Sequence, residues 1–96
     1  MNQVAPEFNW DVANRYQLGR HHVIPEEAQQ AIRDPHAIVL VIESESGEDR
    51  AKALGRTASG RVLAVVFAVR GGAIRPITAY VAPPHLQSLY LRPRRV

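Results

Sequence analysis

The stretch Arg50-Ala-Lys-Ala-Leu-Gly-Arg56 (RAKALGR) alternates long side chains with very small ones. Its even-numbered positions carry three cations and a leucine, whereas its odd-numbered positions carry only Ala, Ala and Gly. A period of two is typical of a β-strand, because successive side chains point to opposite faces of the sheet. Residues 47–54 (GEDRAKAL) also contain good helix formers, so a short helix is the alternative. The strand is favoured over this helix by Gly55, by the lack of a helix-capping residue and by the hairpin signal that follows.

Two helices are predicted before this strand. Asp11 is placed as an N-cap, and a sparse apolar stripe predicts a first helix from Val12 to about Arg20. Pro25 suits the first position of a second helix, since its missing N–H would have no intrahelical partner there. Asp34-Pro35 ends this second helix, because a residue before proline disfavours the helical conformation.

The rest of the chain predicts an antiparallel sheet. Residues 37–42 (AIVLVI) read as a buried strand, and residues 43–49 (ESESGED) as an acidic loop. Short turns at Ser59-Gly60 and Gly71-Gly72 separate the later strands. A short helix within residues 83–90 and a flexible basic tail over residues 91–96 end the chain. We therefore expect one α+β domain over residues 1–96, with two N-terminal helices packed on a small antiparallel sheet.

Two-residue loops at these turns would fix the register of the sheet. They place Arg56 opposite Leu63, and Leu63 opposite Tyr80. One face would then carry Arg50, Lys52, Leu54, Arg56, Leu63, Val65, Phe67, Val69, Thr78 and Tyr80. The other face would carry small apolar side chains, and the helices would pack against it. We expect the cations to be presented to a partner; the alternative is that they only solvate an exposed sheet face.

Composition narrows the class of protein. The chain has 96 residues, no cysteine and a net charge of +3. Disulfides and thiolate metal sites are therefore excluded. The N-terminus does not resemble a signal peptide, and the longest apolar run, from Val62 to Val69, is too short to span a membrane. We expect a soluble cytoplasmic protein. All but one of its twelve Lys and Arg residues are Arg, which suits bidentate binding of phosphate.

Nine short segments occur in the order and spacing of one known family. They are FNWD (8–11), Asn14-Arg15, HHV (21–23), PEEA (25–28), Asp34-Pro35, GEDR (47–50), ALGRT (53–57), GRVLAVVF (60–67) and IRPITAY (74–80). Over residues 8 to about 82 the chain resembles the BrnT toxins of type II toxin–antitoxin modules. The resemblance implies a fold similar to the RelE/ParE toxins, and ribonuclease activity that stops translation. It also implies a cognate BrnA-like antitoxin with a DNA-binding region.

The chain departs from the usual pattern of that family at several positions. His22 stands where the family usually has Gly, and Tyr80 occupies the place of an Arg, with Thr78 in place of a Ser. The Glu expected before the final Tyr has no clear counterpart, since Gln87 lies near it and Tyr90 matches the Tyr. An alternative function is therefore a catalytically weak or inactive toxin-like module that binds antitoxin or nucleic acid.

Metal-independent cleavage of RNA needs a base for the 2′-hydroxyl proton, cations for the charged phosphorane and an acid for the 5′-oxygen. Histidine exchanges protons near neutral pH, arginine stabilises phosphate charge, and tyrosine donates a proton or stacks on a base. We expect His21 to act as base or acid, and Tyr80 as acid or stacking partner. The predicted catalytic residues are His21, Arg50, Arg56 and Tyr80, and the predicted RNA-binding residues are Lys52, Arg61 and Thr78.

Other interpretations of the histidines stay open. Histidines at a helix end, such as His21 and His22, often cap carbonyl groups. A metal site built from these two with His36 and His85 is disfavoured, because their spacing matches no helical pair or zinc-finger pattern. We therefore expect no metal and no cofactor. The expected partners are RNA and the antitoxin, with operator DNA reached only through the antitoxin, no membrane, and either a homo-oligomer or a toxin–antitoxin heterotetramer.

Overall fold

The computed structural model describes residues 7–42 and 49–92. Three helices and four strands follow in the order α1, α2, β1, β2, β3, β4, α3. The helices are α1 (Val12–Arg20), α2 (Pro25–Arg33) and α3 (Pro84–Leu91), and the strands are β1 (Ile38–Ile42), β2 (Arg50–Arg56), β3 (Val62–Arg70) and β4 (Ala73–Val81). The predicted α+β class is confirmed, and residues 50–56 form a strand and not a helix. The acidic residues 43–48 and most of the basic tail (93–96) lie outside the described residues.

The four strands form a meander in which every strand pairs antiparallel with its neighbour in sequence, in the order β1-β2-β3-β4. A short N-terminal segment extends the sheet at β4, where Phe8 bridges Ile74 in parallel. Within the part of the chain that the structure describes, no helix is long and apolar enough to cross a bilayer.

Local hydrogen bonds fix both ends of α1. At its start, the Asn14 N–H donates to the Asp11 carboxylate at 2.9 Å, and the Asp11 N–H donates to the Asn14 side chain at 2.8 Å. At its end, His22 adopts a left-handed conformation with φ of 58°. The Val23 N–H then bonds to the Leu18 carbonyl at 3.1 Å, as in a Schellman motif. Leu18 and Val23 are both buried in the core, so the motif ties the end of α1 to the rest of the fold.

Helix α2 packs directly on the small residues of β2. Ala28 and Ala31 on α2 are fully buried, as is Ala53 on β2. At Gly55 the helix comes so close that an added Cβ would lie 1.9 Å from the Ala31 carbonyl oxygen. The small residues at the odd-numbered positions of RAKALGR therefore pack against a helix, as predicted.

The predicted register of the sheet is wrong. Arg56 pairs with Val62 and not with Leu63, and Leu63 pairs with Val81 and not with Tyr80. The first turn is longer than two residues, because the Thr57 N–H bonds to the Arg61 carbonyl at 2.8 Å. The second turn matches the prediction, but a β-bulge between Val66 and Phe67 shifts the remaining pairs. Each effect displaces the register by one residue.

These two shifts exchange the faces of β3, and they also exchange the faces of β4 from Ala73 to Pro76, because Phe67 is a partner of both Ala51 and Pro76. Leu63 and Val65 belong to the face covered by α1 and α2, which we call the helix face; both are fully buried in its core. The side chains of β2 and of β4 from Thr78 to Val81 keep the predicted relation to each other, because two one-residue shifts preserve parity. We call the opposite side of the sheet the cationic face. It carries Arg50, Lys52, Leu54, Arg56, Val62, Ala64, Val66, Thr78 and Tyr80.

Helix α3 covers only part of the cationic face. It contacts β2 and β3. Leu54 and Ala64, which lie on this face, are fully buried, whereas Lys52, Thr78 and Tyr80 are only partly buried. The part of the cationic face next to β4 therefore remains open between α3 and α1.

Candidate active site

Tyr80 is the centre of a three-residue cluster on the open part of the cationic face. The ammonium of Lys52 lies 5.7 Å from the centroid of the Tyr80 ring. The imidazole of His21 lies on the same ring, with 6.0 Å between the ring centroids and an interplanar angle of 59°. We call His21, Lys52 and Tyr80 the Tyr80 cluster. It brings a proton-transfer group, a fixed cation and an aromatic hydroxyl to one partly exposed position.

The path of α1 along β4 brings His21 to this cluster. The Asn14 side-chain amide donates to the Pro76 carbonyl at 3.0 Å and to the Asn9 carbonyl at 2.8 Å, so it joins the helix to the edge of the sheet. His21 is the C-cap residue of α1, and its N–H bonds to the Leu18 carbonyl at 3.0 Å. Its imidazole makes no hydrogen bond to any residue in the ranges 7–42 and 49–92. The capping role thus belongs to the backbone, which leaves the ring available for chemistry.

Strand pairing explains how Lys52 and Thr78 border Tyr80. Lys52 and Thr78 are both partners of Val66, so they lie in one row across the sheet. Tyr80 lies in the next row, opposite Ala64. Thr78 therefore neighbours the cluster at the distance of two strand residues, about 6.6 Å.

Arg50 lies beside the cluster, in a pocket of about 270 Å³ between α1 and the cationic face. The pocket is also lined by Gln17 on α1, by Arg70 at the end of β3 and by Arg75 on β4. Gln17, Arg70 and Arg75 were not among the predicted site residues. The β-bulge and the packing of α1 on β4 bring these side chains together, and neither feature has a signal in the sequence.

Arg56 lies at another part of the cationic face, under α3. Its guanidinium is 5.7 Å from the centroid of the Tyr90 ring, and its backbone N–H donates to the Asp34 carboxylate at 2.8 Å. The Tyr90 hydroxyl donates to the same carboxylate. Arg56 also lines an open pocket of about 680 Å³ with Asp34, His36 and Tyr90. The structure therefore associates Arg56 with the attachment of α3, and not with the Tyr80 cluster.

Asp34 is held in its ionised form by the groups around it. Burial acts to raise the pKa of this carboxyl, but hydrogen bonds from the Tyr90 hydroxyl and from the backbone of His36 and Arg56, together with the charge of His36, outweigh burial. The pKa of Asp34 consequently lies below its ordinary value. This carboxylate joins the end of α2, the end of β2 and α3.

Arg61 takes part in a structural contact. Its guanidinium pairs with the Glu27 carboxylate at 3.0 Å and donates to the His22 carbonyl at 3.3 Å. It thus connects the turn before β3 to α2 and to the loop after α1. Of the seven predicted site residues, the structure brings His21, Lys52 and Tyr80 together, with Thr78 and Arg50 adjacent, and places Arg56 and Arg61 elsewhere.

The four histidines do not form a metal centre in the part of the chain that the structure describes. No group of three or more His, Asp or Glu side chains converges there.

The fold and the cluster define a small α+β protein whose open sheet face presents a histidine, a tyrosine and several cations. The family model described as "Ribonuclease toxin, BrnT, of type II toxin-antitoxin system" matches residues 10–85. The match covers most of the chain, and the chain belongs to this family. A comparison with individually curated proteins finds no match. An antitoxin partner follows from the family's membership of type II toxin–antitoxin systems.

Proposed function

We propose that this protein is a metal-independent endoribonuclease that cleaves RNA at the Tyr80 cluster and so inhibits translation. The observation that carries the proposal is the contact of one tyrosine ring with both a histidine and a lysine, at 6.0 Å and 5.7 Å. The family supplies the class of reaction. The cluster supplies the groups that this reaction needs when the nucleophile is the 2′-hydroxyl of the substrate itself.

The reaction is an internal transfer at phosphorus. His21 accepts the proton of the 2′-hydroxyl while the 2′-oxygen forms a bond to phosphorus. The bond from phosphorus to the 5′-oxygen breaks, and the Tyr80 hydroxyl donates its proton to that oxygen. The products are a 2′,3′-cyclic phosphate and a 5′-hydroxyl end. Exchange with water returns His21 and Tyr80 to their starting protonation states, so the cycle balances.

Lys52 and Arg50 supply the positive charge for the phosphorane. The Lys52 ammonium lies over the Tyr80 ring, and Arg50 lies two residues away on the same face of β2. A fixed cation next to the reacting group stabilises the negative charge that develops in the transition state without further reorganisation. Thr78, in the same row as Lys52, would bind the RNA backbone through its hydroxyl. Arg56 and Arg61 stay outside this site in our proposal.

Neutralisation by the antitoxin completes the proposed function. We expect a BrnA-like antitoxin with its own DNA-binding region, so that the complex reaches operator DNA only through the antitoxin. The open cationic face favours an acidic antitoxin segment that covers the Tyr80 cluster and excludes RNA. In this proposal the whole chain acts as one toxin domain of the RelE/ParE type in the cytoplasm.

The decisive experiment is RNA cleavage by the purified protein in EDTA. We expect cleavage that His21→Ala abolishes, and we expect 5′-hydroxyl and cyclic-phosphate ends. Replacing the nucleotide on the 5′ side of the cleaved bond by its 2′-deoxy form should block cleavage at that bond. Cleavage that requires a divalent cation would contradict the metal-independent mechanism.

The second candidate function is a toxin-like module that binds RNA or antitoxin without cleaving. One observation favours it: the family's usual cation at position 80 is replaced by a tyrosine, whose ring is already in contact with Lys52. Such a ring is suited to stack on a base. In the same assay this candidate predicts salt-dependent RNA binding with no cleavage at any protein concentration.

A further inference from the structure

Strand β1 is apolar along its whole length, although it lies at the edge of the sheet. Its five residues (Ile38–Ile42) read Ile-Val-Leu-Val-Ile, and among the described strands it pairs only with β2. A strand with apolar side chains on both faces is typical of the buried centre of a sheet. The structure nevertheless exposes 57% of Val39 and 82% of Val41. A single copy of the chain therefore buries this strand only in part.

The opposite edge of the sheet, at β4, is protected. The Ile74 N–H donates to the Glu7 carbonyl at 2.8 Å, and the Asn9 N–H donates to the Ile74 carbonyl at 2.9 Å. Farther along β4, Pro76 has no N–H to offer, and its carbonyl accepts the Asn14 side chain at 3.0 Å. Strand β1 carries no charge and no proline, and its five residues pair with β2 without a bulge. Proteins usually protect an exposed edge by such devices, because its outward N–H and C=O groups can pair with another strand.

The sequence of β1 is a palindrome about Leu40. When two copies of β1 pair antiparallel with Leu40 on the two-fold axis, Ile38 of each copy lies opposite Ile42 of the other. In the same register Val39 lies opposite Val41, so every position meets its own residue type. Any other two-fold register leaves at least one of the five residues outside the pairing. The register about Leu40 makes roughly four to six backbone hydrogen bonds, depending on which alternate residues point outward.

The cations of β2 do not oppose this pairing. Lys52 is the partner of Leu40, so one row runs from Lys52 through the two Leu40 residues to Lys52 of the second copy. Three strand spacings, about 14 Å, separate the two lysines. This separation exceeds the Debye length of about 8 Å at physiological ionic strength, so the repulsion between them is largely screened.

We propose that a second copy of this chain pairs with β1, and that the two four-stranded sheets join into one continuous sheet. This interface does not depend on the ribonuclease function. Because Leu40 pairs with Leu40, the cationic face of one copy continues into the cationic face of the other, and both Tyr80 clusters open on the same side. A pair of five-residue strands alone buries less than the roughly 1,200 Å² of a standard interface, so the dimer dissociates on dilution.

The first test compares lysine at two exposed valines. Val41→Lys places a cation on the edge strand, where lysine opposes pairing with another chain. Val69→Lys is the matched control, because Val69 is also 63% exposed but lies on β3, inside the sheet. Sedimentation is measured from about 10 μM to about 1 mM, the range in which small interfaces associate. We expect the wild type and Val69→Lys to dimerise alike, and Val41→Lys to dimerise at least about tenfold more weakly. A monomeric wild type throughout this range, or equal losses in both variants, would overturn the proposal.

The second test reads the register. The chain contains no cysteine, so one introduced cysteine reports only its own contact. In the proposed dimer the Cα atoms of the two Leu40 residues lie about 4.5–5.5 Å apart, within the range of a disulfide. The two Val39 residues lie on a diagonal, roughly 7–8 Å apart, beyond that range. Mild oxidation should therefore cross-link Leu40→Cys into a dimer and leave Val39→Cys monomeric. Cross-linking of Val39→Cys in place of Leu40→Cys would refute the two-fold axis at Leu40.

The same variants distinguish the second copy from the antitoxin as the occupant of this edge. If the isolated chain stays monomeric and Val41→Lys weakens binding of the antitoxin while Val69→Lys does not, the edge belongs to the antitoxin and the proposal fails. RNA cleavage is measured separately on the same proteins. A dimer that cleaves no RNA would refute the ribonuclease alone, and a monomer that cleaves RNA would refute the dimer alone.

Discussion

Gly55 lies directly under the backbone of Ala31, so that a methyl group at Gly55 would meet the Ala31 carbonyl oxygen at 1.9 Å. This contact sets the distance between α2 and the sheet. It also explains why the odd-numbered positions of RAKALGR carry only Ala and Gly, because these small residues let the helix approach the sheet. The long side chains at the even-numbered positions belong to the cationic face.

The first prediction follows from this contact. Gly55→Ala should destabilise the protein by at least about 1–3 kcal/mol, because a backbone carbonyl cannot move aside as a side chain can. The measurement is chemical denaturation. Gly19→Ala is the matched control, since nothing lies within 4 Å of a Cβ added there. Alanine in that helical position should be neutral or stabilising by up to about 1 kcal/mol. A Gly55→Ala protein as stable as Gly19→Ala would contradict the close packing.

His22 gives the second prediction. Its φ of 58° is a conformation that glycine adopts without strain, and the family resemblance places a glycine at this position. His22→Gly should therefore raise the free energy of unfolding by about 0.5–1 kcal/mol. The left-handed conformation costs residues other than glycine about 1–2 kcal/mol, and the greater conformational entropy of glycine in the unfolded chain offsets part of this gain. His22→Ala is the control and should bring no such gain. Cleavage should be unchanged in both variants, since His21 and not His22 contacts Tyr80. Equal stability of the two variants would show that backbone strain is not the cause.

Local signals in the sequence were sufficient for the helices. Asp11 acts through its hydrogen bond with Asn14, and Pro25 acts through its place in the first turn of α2, where no N–H is needed. The starts of α1 and α2 could therefore be predicted. The register of the sheet could not be predicted in this way. The turn after β2 is lengthened by the Thr57 hydroxyl, which accepts the Arg61 N–H at 3.1 Å, and the bulge in β3–β4 has no marker in the residues.

The composition of the Tyr80 cluster could be predicted only in part. Lys52 and Tyr80 share a face, as predicted, only because the two one-residue errors in the predicted register cancel between β2 and this part of β4. The approach of His21 depends on Asn14 reaching the Pro76 carbonyl, 62 residues away in sequence. The pocket lined by Gln17, Arg50, Arg70 and Arg75 depends on the same helix placement. Long-range contacts of this kind leave no periodic signal, which is why Arg70 and Arg75 were missed.

The attachment of α3 gives a prediction about pH. Because the pKa of Asp34 is lowered in the folded protein, its ionised form contributes stability above the pKa of an unfolded aspartate, about 3.9. This contribution is lost as the pH falls through the lower folded pKa. Asp34→Asn should therefore destabilise most at pH 7, and its difference from the wild type should shrink below about pH 4.

Denaturation at pH 7 and pH 3 measures this effect. Tyr90→Phe is the companion variant and should cost about 0.5–1.5 kcal/mol at pH 7, the net contribution of one hydrogen bond. A stability difference between Asp34→Asn and the wild type that is the same at both pH values would show that ionised Asp34 does not hold α3.

Lys52 and Arg56 provide a matched test of where RNA binds. Both are cations on the same face of β2, but the Lys52 ammonium lies over the Tyr80 ring, whereas the Arg56 guanidinium lies over the Tyr90 ring. Lys52→Gln should lower the salt slope of RNA binding by about 0.7, the value for one phosphate contact to a single strand. Arg56→Gln should leave the slope unchanged. The opposite result would move the binding site from the Tyr80 cluster to the surface next to α3.

The last prediction concerns Tyr80, a neutral phenol at a position where the family resemblance places an arginine. If the hydroxyl is the acid, Tyr80→Phe should lower cleavage about a hundredfold or more while RNA affinity stays nearly constant, because general acid catalysis contributes about 10²–10⁴-fold. If the ring instead stacks on a base, Tyr80→Phe should keep full activity and Tyr80→Ala should lose both binding and cleavage. Tyr80→Arg restores a fixed charge next to His21, and should raise cleavage if this chain is an attenuated member of its family. The readouts are single-turnover cleavage and binding of a 2′-O-methyl oligonucleotide. Unchanged values in all three variants would remove Tyr80 from the site. The proton donor would then have to be another group on the cationic face, such as Lys52, whose ammonium lies 5.7 Å from the centroid of the Tyr80 ring.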